Sequence, residues 1–554
     1  MCLGAGGNEA LDIAGTGLSR APAETHLLPE VIGVYLFLLL IPTLAAQEAQ
    51  PLFDTYTNCA RCHSSMRRPA EAVNLRSLAP LPVGPAALWR GSMMAHSSRD
   101  PYWQAKMQFE MSQTPAAAAF IEDTCLRCHA PQQHYERRIR NATMRLEELN
   151  DLGREGVGCT VCHQITPENL GAPESFTGGF TINEERAVYG PHADPFSMPM
   201  EHMAGYTPRQ SMHLMESKLC ATCHTVITPA LNERGERAGE YVEQAPYLEW
   251  LRSSWAGSGA SCQSCHMPRL KDAQGTEVAQ YIAHNPMGRF FPPTSPRRPF
   301  GLHTLAGANI TVLSMLKDLY PDEAPALDRT IAAAWEMARS AAGLKLFPRR
   351  EQNQLHLDVQ VFNYTGHKLP TGFPSRRVWL HLKVSDGSGK VVFESGAWDE
   401  SGEIRGLAGS SPHRNEISNP TQVAIYESEP GGADGRPTTA LLRVRRDLKD
   451  NRLLPRGYDA EKPLPEGVPP GATLPVGTSG DPDFLPGSDT VHYRIAAAGR
   501  GPLQIQAQLL YQSIRPSFVR PMRADNSAEE RTFLPLYRKQ ASPITLAGIE
   551  SRVE

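Results

Sequence analysis

Ten cysteines and five histidines of this chain share one arrangement, in which two residues separate two cysteines and a histidine follows directly. The copies are CARCH from Cys59, CLRCH from Cys125, CTVCH from Cys159, CATCH from Cys220 and CQSCH from Cys262. Two thiols at this spacing add to the two vinyl groups of one porphyrin, and the next imidazole ligates the iron from the same side. The pattern therefore predicts five covalently attached c-type haems.

Each residue of the motif has its own predicted role. Thioether bonds are assigned to Cys59, Cys62, Cys125, Cys128, Cys159, Cys162, Cys220, Cys223, Cys262 and Cys265. Proximal iron ligands are assigned to His63, His129, His163, His224 and His266. Structural zinc is the alternative, because paired CxxC sequences also bind that ion. Zinc would leave a fifth copy over and would not explain the histidine after every second cysteine.

Composition limits the classes of function. The 554 residues have room for two or three domains. Lysine and arginine number 55 against 59 aspartate and glutamate, giving a formal charge of -4. This balance predicts no nucleic-acid partner and no polybasic membrane surface.

The first residues have the pattern of an export signal. A short apolar run from Val31 to Leu44 is followed by Ala45 and Ala46, so residues 1–46 are predicted to be a cleaved leader. An uncleaved membrane anchor is the alternative. Removal of the leader takes away Cys2, and every remaining cysteine then belongs to a motif. We expect the mature protein in the periplasm or on the extracellular face, where haem is joined to thiols.

Three regions follow the leader. Residues 47–306 show little sustained periodicity and are predicted to be a mostly α-helical or irregular cytochrome c region whose core is haem. The short interval between Cys125 and Cys159 predicts that their haems are neighbours. Residues 307–347 are predicted to be a short helical connector. One helix carries Ile310 and ends before Pro321, and a second runs from an N-cap at Asp328 to Gly343.

Residues 348–554 are predicted to be an all-β, sandwich-like domain. Apolar and polar residues alternate from Leu355 to Val361 and again from Leu503 to Leu509, which is the period of a half-buried strand. The sequence DGSG from Asp386 predicts a hairpin turn. A loop rich in Pro and Gly, from Pro455 to Gly487, is predicted to interrupt the sheets.

The residue opposite each proximal histidine decides the chemistry. Two axial imidazoles leave only electron transfer, whereas an open position lets a substrate bind. The candidates for distal ligands are His96, His192, His213, His303, His367 and His284. Methionine is the other candidate type of sixth ligand. We expect mostly bis-histidine haems.

The chain resembles a bacterial family of multihaem, pentahaem-type c cytochromes with a C-terminal β-domain. The likeness is carried by SMMAHSSRDPYWQAK from Ser92, SKLCATCHT from Ser217, SCQSCHMP from Ser261 and NYTGHKLPTGFPSR from Asn363. The resemblance implies an exported redox protein, carries over the five proximal histidines, and supports His96, His192, His213 and His303 as distal ligands. Pentahaem nitrite reductases are less similar, because their CxxCK motif does not occur here.

These observations favour an electron carrier over a catalyst. The partners expected are other redox proteins or a membrane electron-transfer complex, and the sequence leaves membrane association and oligomeric state open. One alternative is a reductase with one open-site haem that acts on a small nitrogen or sulfur oxyanion. Another is a β-domain that docks the protein in a membrane redox assembly.

Overall fold

The computed structural model describes residues 51–65, 83–286, 291, 294–407, 409–497 and 501–554. The predicted leader, residues 1–46, lies outside these ranges. Within them, no helix combines the length and the apolar character needed to cross a bilayer. Residues 51–554 form one compact unit by their contacts, and the predicted domain boundaries at 306/307 and 347/348 stay predictions.

Short helices make up most of the motif-bearing region. The α-helices are α1 Tyr56–His63, α2 Pro85–Trp89, α3 Pro101–Gln113, α4 Ala118–His129, α5 Pro131–Arg138, α6 Asp151–Arg154, α7 Cys159–Cys162, α8 Ser197–Pro199, α9 Ser217–His224, α10 Pro246–Leu251, α11 Cys262–His266, α12 Ile310–Leu319, α13 Ala324–Ser340, α14 Pro516–Val519 and α15 Ala528–Gln540.

Every CxxCH motif occupies the end of a helix. Helices α1, α4, α9 and α11 end on the motif histidine, and α7 ends one residue before it. In a helix, residues at positions i, i+3 and i+4 lie on one face. The two cysteines and the histidine of each motif are therefore presented on the same side, as attachment to one macrocycle requires.

Fourteen strands are described. They are β1 Ala187–Gly190, β2 Thr207–Gln210, β3 Val226–Leu231, β4 Arg237–Gln244, β5 Ala342–Glu351, β6 Gln354–Asn363, β7 Arg377–Asp386, β8 Val391–Ser395, β9 Glu416–Ile417, β10 Ile425–Gly431, β11 Arg446–Asp450, β12 Ser488–Ala496, β13 Leu503–Gln512 and β14 Ile544–Val553. Strands β1 and β2 form a parallel pair, and β3 and β4 form a hairpin.

The C-terminal strands form two sheets that share one hydrophobic core. A six-stranded sheet has the order β11-β10-β7-β13-β14 with β8 beside β7, and a four-stranded sheet has the order β5-β6-β12-β9. Leu357 of β6, Leu380 of β7 and Leu509 of β13 belong to the same buried cluster. The predicted alternation and the predicted hairpin from Asp386 are confirmed, because β7 and β8 pair across that turn.

The connector agrees with the sequence in its first helix and differs in its second. Helix α12 ends at Leu319, as Pro321 predicted. Helix α13 begins at Ala324 instead of Asp328, because Pro325 lies in the first turn, where its missing N–H is no loss. Strand β5 then begins at Ala342, ahead of the predicted β region. Its Pro348 is tolerated because β5 lies at the edge of its sheet.

A buried ion pair and hydrogen bonds join the β region to the helical region. Glu249 of α10 is fully buried and pairs with Arg452 at 2.9 Å. Its Oε2 also accepts a hydrogen bond from the backbone N–H of Lys368 at 3.1 Å. The long loop between β11 and β12 packs on the end of α10 as well, where Arg252 donates to the Ala472 carbonyl at 2.8 Å. These contacts hold the loop after β6 against the motif-bearing helices.

Candidate haem cavity

A single cavity of about 1360 Å³ runs through the motif-bearing region. All ten motif cysteines and all five motif histidines line it. Protein interiors are packed to the density of organic crystals, so a void of this size needs material to fill it. A cavity lined by ten thiols and five imidazoles fits covalently bound haem c in its donor set.

Four of the motif histidines are oriented by the same kind of hydrogen bond. Nδ1 lies on a backbone carbonyl oxygen in each: at 2.8 Å for His63 on Ile282 and for His129 on Ser97, and at 2.7 Å for His163 on Tyr189 and for His266 on Ala306. A carbonyl only accepts, so Nδ1 carries the proton and Nε2 keeps a free lone pair. This is the tautomer that ligates a metal through Nε2.

Burial keeps four of the cavity histidines neutral. It lowers the pKa of four rings to about 4, those of His129, His224, His303 and His367. Neutral imidazole is the form that binds a metal ion. These rings are therefore prepared as ligands at neutral pH.

Two further histidines stand opposite motif histidines. The ring centroids of His303 and His163 are 6.4 Å apart at an interplanar angle of 17°. Those of His367 and His266 are also 6.4 Å apart, at 15°. Two imidazoles that share one metal ion have centroids about 6 Å apart, because each metal–nitrogen bond is about 2.0 Å and each nitrogen lies about 1 Å from its ring centre. Each pair has the spacing of two axial ligands on one iron.

The two opposite rings repeat the hydrogen bonding of the motif histidines. Nδ1 of His303 lies 3.0 Å from the Gly301 carbonyl, and Nδ1 of His367 lies 2.9 Å from the Lys368 carbonyl. Nε2 is the nitrogen left for a metal in both rings. The loop that carries His367 is held by Asn363, whose side chain donates to the His367 carbonyl at 2.9 Å.

Three other predicted ligands do not line the cavity. His96 contacts the Arg90 carbonyl through Nε2 and the Arg99 guanidinium through Nδ1, at 3.1 and 2.9 Å. Nε2 of His213 lies 2.8 Å from the Ile165 carbonyl, and its Nδ1 lies 2.7 Å from the Ser211 hydroxyl.

The third of them, His284, has a carbonyl oxygen at 2.7 Å from each ring nitrogen, those of Asn285 and Ser64. Both nitrogens are occupied in all three residues. Spacing along the chain gave no sign of these partners.

His192 lines the cavity and is half-buried. No ring contact with a motif histidine is described for it. Among the described residues, the non-motif histidines of the cavity wall are thus His192, His303 and His367.

Comparison with known proteins gave one solved structure. It is a penta-haem cytochrome c552 from Thermochromatium tepidum, at 18% identity and a TM-score of 0.53, and the match covers 91% of this chain and all of that one. The two chains share a fold. No model of a protein family matches this chain, and no curated protein matches it.

The fold brings the motifs together in a particular order. The thiol of Cys59 lies near that of Cys159, the thiol of Cys128 near that of Cys223, and the thiol of Cys220 near that of Cys262.

The motifs of Cys159 and Cys220 are adjacent as well. Burial and then the nearby Cys223 raise the pKa of Cys162 to about 12. The motif of Cys125 lies beside that of Cys220 through Cys128 and Cys223. That its haem also neighbours the haem of the Cys159 motif, as their short interval predicted, stays a prediction.

Several wall residues of the cavity had not been singled out. Trp103 stacks on His129 with centroids 4.1 Å apart at 5°. Lys106 and Glu110 form a buried ion pair one turn apart on α3, a spacing that could have been read from the sequence. Beside them burial, and after it the charge of Glu110, raises the pKa of Glu243 to about 7.

Proposed function

We propose that this chain is an exported multihaem c-type cytochrome that transfers electrons through five covalently bound haems. The observation that carries the proposal is the single cavity lined by all five CxxCH motifs. The solved penta-haem cytochrome c552 with a similar fold supports it. Bound haem supplies one-electron redox chemistry, and the polypeptide fixes the ligands, spacing and solvent exposure.

The ligand set follows from the paired rings. The five motif histidines are the proximal ligands. His303 is the distal ligand opposite His163, and His367 is the distal ligand opposite His266, on the strength of the 6.4 Å ring spacings. The Nδ1–H groups of these rings donate to backbone carbonyls, which fixes each ring plane and strengthens Nε2 as a donor.

The contacts between motifs define the route. The motif of Cys59 contacts that of Cys159, which adjoins that of Cys220, and the motifs of Cys125 and Cys262 both contact that of Cys220. We propose a branched path with the Cys220 motif at the branch point. The partners proposed are other redox proteins or a membrane electron-transfer complex, in the periplasm or on the extracellular face.

A second function, reduction of a small nitrogen or sulfur oxyanion, is favoured by the shortage of distal histidines. Five irons are predicted, yet the described part of the cavity wall offers His192, His303 and His367 as the only non-motif histidines. At least two irons then have methionine or an open position opposite the motif histidine. An open position is what a reductase needs.

Haem counting and spectroscopy test both functions. Replacement of both cysteines of one motif by serine should remove one haem from the five, for each motif in turn. Optical and EPR spectra of ferric and reduced protein, with and without carbon monoxide and nitrite, then count the open irons. Low-spin spectra that neither ligand changes support the carrier. A high-spin fraction that binds nitrite supports the reductase instead. If all the cysteine variants still bind five haems, both proposed functions are contradicted.

A further inference from the structure

Arg376 is a cation of the cavity wall. It lies at the end of the loop between β6 and β7 that also carries His367, and its side chain lines the cavity. Nη1 donates to the Thr371 carbonyl at 2.7 Å. This bond holds the guanidinium against its own loop and leaves its other donors for a partner.

No carboxylate of the described residues lies within ion-pair distance of Arg376. The neighbouring arginines differ in this respect. Arg452 pairs with Glu249 at 2.9 Å, and Arg515 pairs with Glu427 at 2.5 Å. A guanidinium inside a protein is stable when an anion pairs with it. Arg376 is half-buried, and the nearby Asp100 of the cavity wall, whose pKa burial raises and Arg376 in part lowers, forms no ion pair with it. The guanidinium is therefore available to an anion among the contents of the cavity.

Gly372 makes room for this guanidinium. Its φ is +80°, a conformation that favours glycine, and a Cβ atom at this position would lie 2.8 Å from Nη1 of Arg376. The same Cβ would lie 3.5 Å from Oε1 of Gln244, at the end of β4. The loop thus places Arg376 beside β4, whose partner strand β3 begins two residues after His224.

The loop of Arg376 lies beside two haem sites. It carries His367, which faces His266 of the Cys262 motif. Gln244, beside Gly372 of this loop, pairs with Val226, two residues after His224 of the Cys220 motif. Arg376 therefore lies near both sites.

We propose that Arg376 is an anion-binding residue of the cavity that holds a carboxylate or small oxyanion beside the haems of the Cys220 and Cys262 motifs. The inference rests on the proposed haem content. The anion has two sources, a haem propionate or a free oxyanion, and both suit the planar fork of a guanidinium. A cation there favours the ferrous state, which carries one positive charge less than the ferric state.

The test is a redox titration of holoprotein carrying Arg376→Gln, with inorganic phosphate as the free-oxyanion probe at constant ionic strength. Arg269→Gln is the matched control, because Arg269 also lines the cavity but pairs with Glu277 at 3.0 Å. In Arg376→Gln we expect at least one haem to become tenfold or more harder to reduce, which is 59 mV for one electron. The control should match the wild type.

The phosphate titration separates the two sources. If a propionate is bound, wild-type potentials do not depend on phosphate. If a free oxyanion is bound, phosphate lowers the wild-type potentials toward those of Arg376→Gln, and that variant does not respond. The proposal is overturned if, at every phosphate concentration, each haem of Arg376→Gln is less than twofold harder to reduce than the same haem of the wild type.

Haem content separates this inference from the proposed function. A wild-type protein with fewer than five haems counts against the function itself, whereas five haems with unchanged potentials count against Arg376 alone. If Arg376→Gln loses haem, Gly372→Ala is the variant that tests the proposal. It keeps the charge of Arg376 but places a Cβ atom in the space that Nη1 of Arg376 occupies. A shift to lower potential in that variant supports the proposal, and unchanged potentials overturn it.

Discussion

Removal of one distal histidine should open one iron. In His303→Ala the ring 6.4 Å from His163 is lost, and in His367→Ala the ring 6.4 Å from His266 is lost. Each ring belongs to one pair, so each variant should bind one more carbon monoxide per protein than the wild type. The double variant should bind two more, because the pairs involve different motifs.

The assay is a carbon monoxide titration of the dithionite-reduced protein, followed optically and normalised to haem content. The ferric proteins should show a matching gain of high-spin EPR signal, one iron in five for each single variant. Haem content must be five in every sample, so that lost haem is not mistaken for an open site.

The controls are His96→Ala and His213→Ala, whose ring nitrogens are occupied by protein groups. Both should bind no more carbon monoxide than the wild type. The reasoning from ring spacing is refuted if His303→Ala gains none, or if His213→Ala gains one. The second result would restore the ligand that the family resemblance favours.

Three further predictions concern stability. Lys368→Met removes a fully buried partner of an ion pair and should lower the free energy of unfolding, measured by chemical denaturation, by about 3 kcal/mol. Lys539→Met removes a partner of an exposed pair and should lower it by less than about 1 kcal/mol. Equal losses in the two variants would contradict the burial argument. Burial alone would raise the pKa of Glu427, but Lys449 and Arg515 lower it to about 2. That stabilisation is present above about pH 4.5 and is lost as pH falls toward 2, so Glu427→Gln should be less stable by about 3 kcal/mol at pH 7 and approach the wild type in acid, as urea unfolding against pH would show. Protein made without haem attachment should show less helical circular dichroism than the holoprotein, because the motif-bearing helices then surround a cavity of about 1360 Å³ with no filling, and an equal helical signal in that apoprotein would refute this.

The repeating patterns predicted the local structure. Alternation of apolar residues predicted β6 and β13, the turn from Asp386 predicted the hairpin of β7 and β8, and Pro321 predicted the end of α12. Strand β5 was missed because its pairing with β6 is a long-range property, and its Pro348 and charged residues do not suggest a strand. The start of α13 was missed because Pro325 begins the helix before Asp328 can cap it.

The proposed ligands of the site divide along the same line. The motif histidines are set by a spacing of one helical turn, which the sequence displays directly. A distal ligand depends on which loop the fold brings opposite, and on whether both ring nitrogens are already occupied. His303 and His213 are equally plausible in sequence. They differ because Nε2 of His213 contacts the Ile165 carbonyl, whereas Nδ1 of His303 has a carbonyl partner and its Nε2 is left over.

The loop that carries His367 sets an order for biogenesis. His266 lies in the last motif, whereas His367 follows it in the chain after the connector and β5 and β6, and the sheet that holds β6 is complete only when β12 has paired with it. Domains fold from the N-terminus during synthesis. In the proposed ligation the last haem is therefore attached before its second ligand is in place. A truncated or unfinished chain would carry its full set of haems and still differ from the complete protein by one additional open iron, which a small ligand could reach.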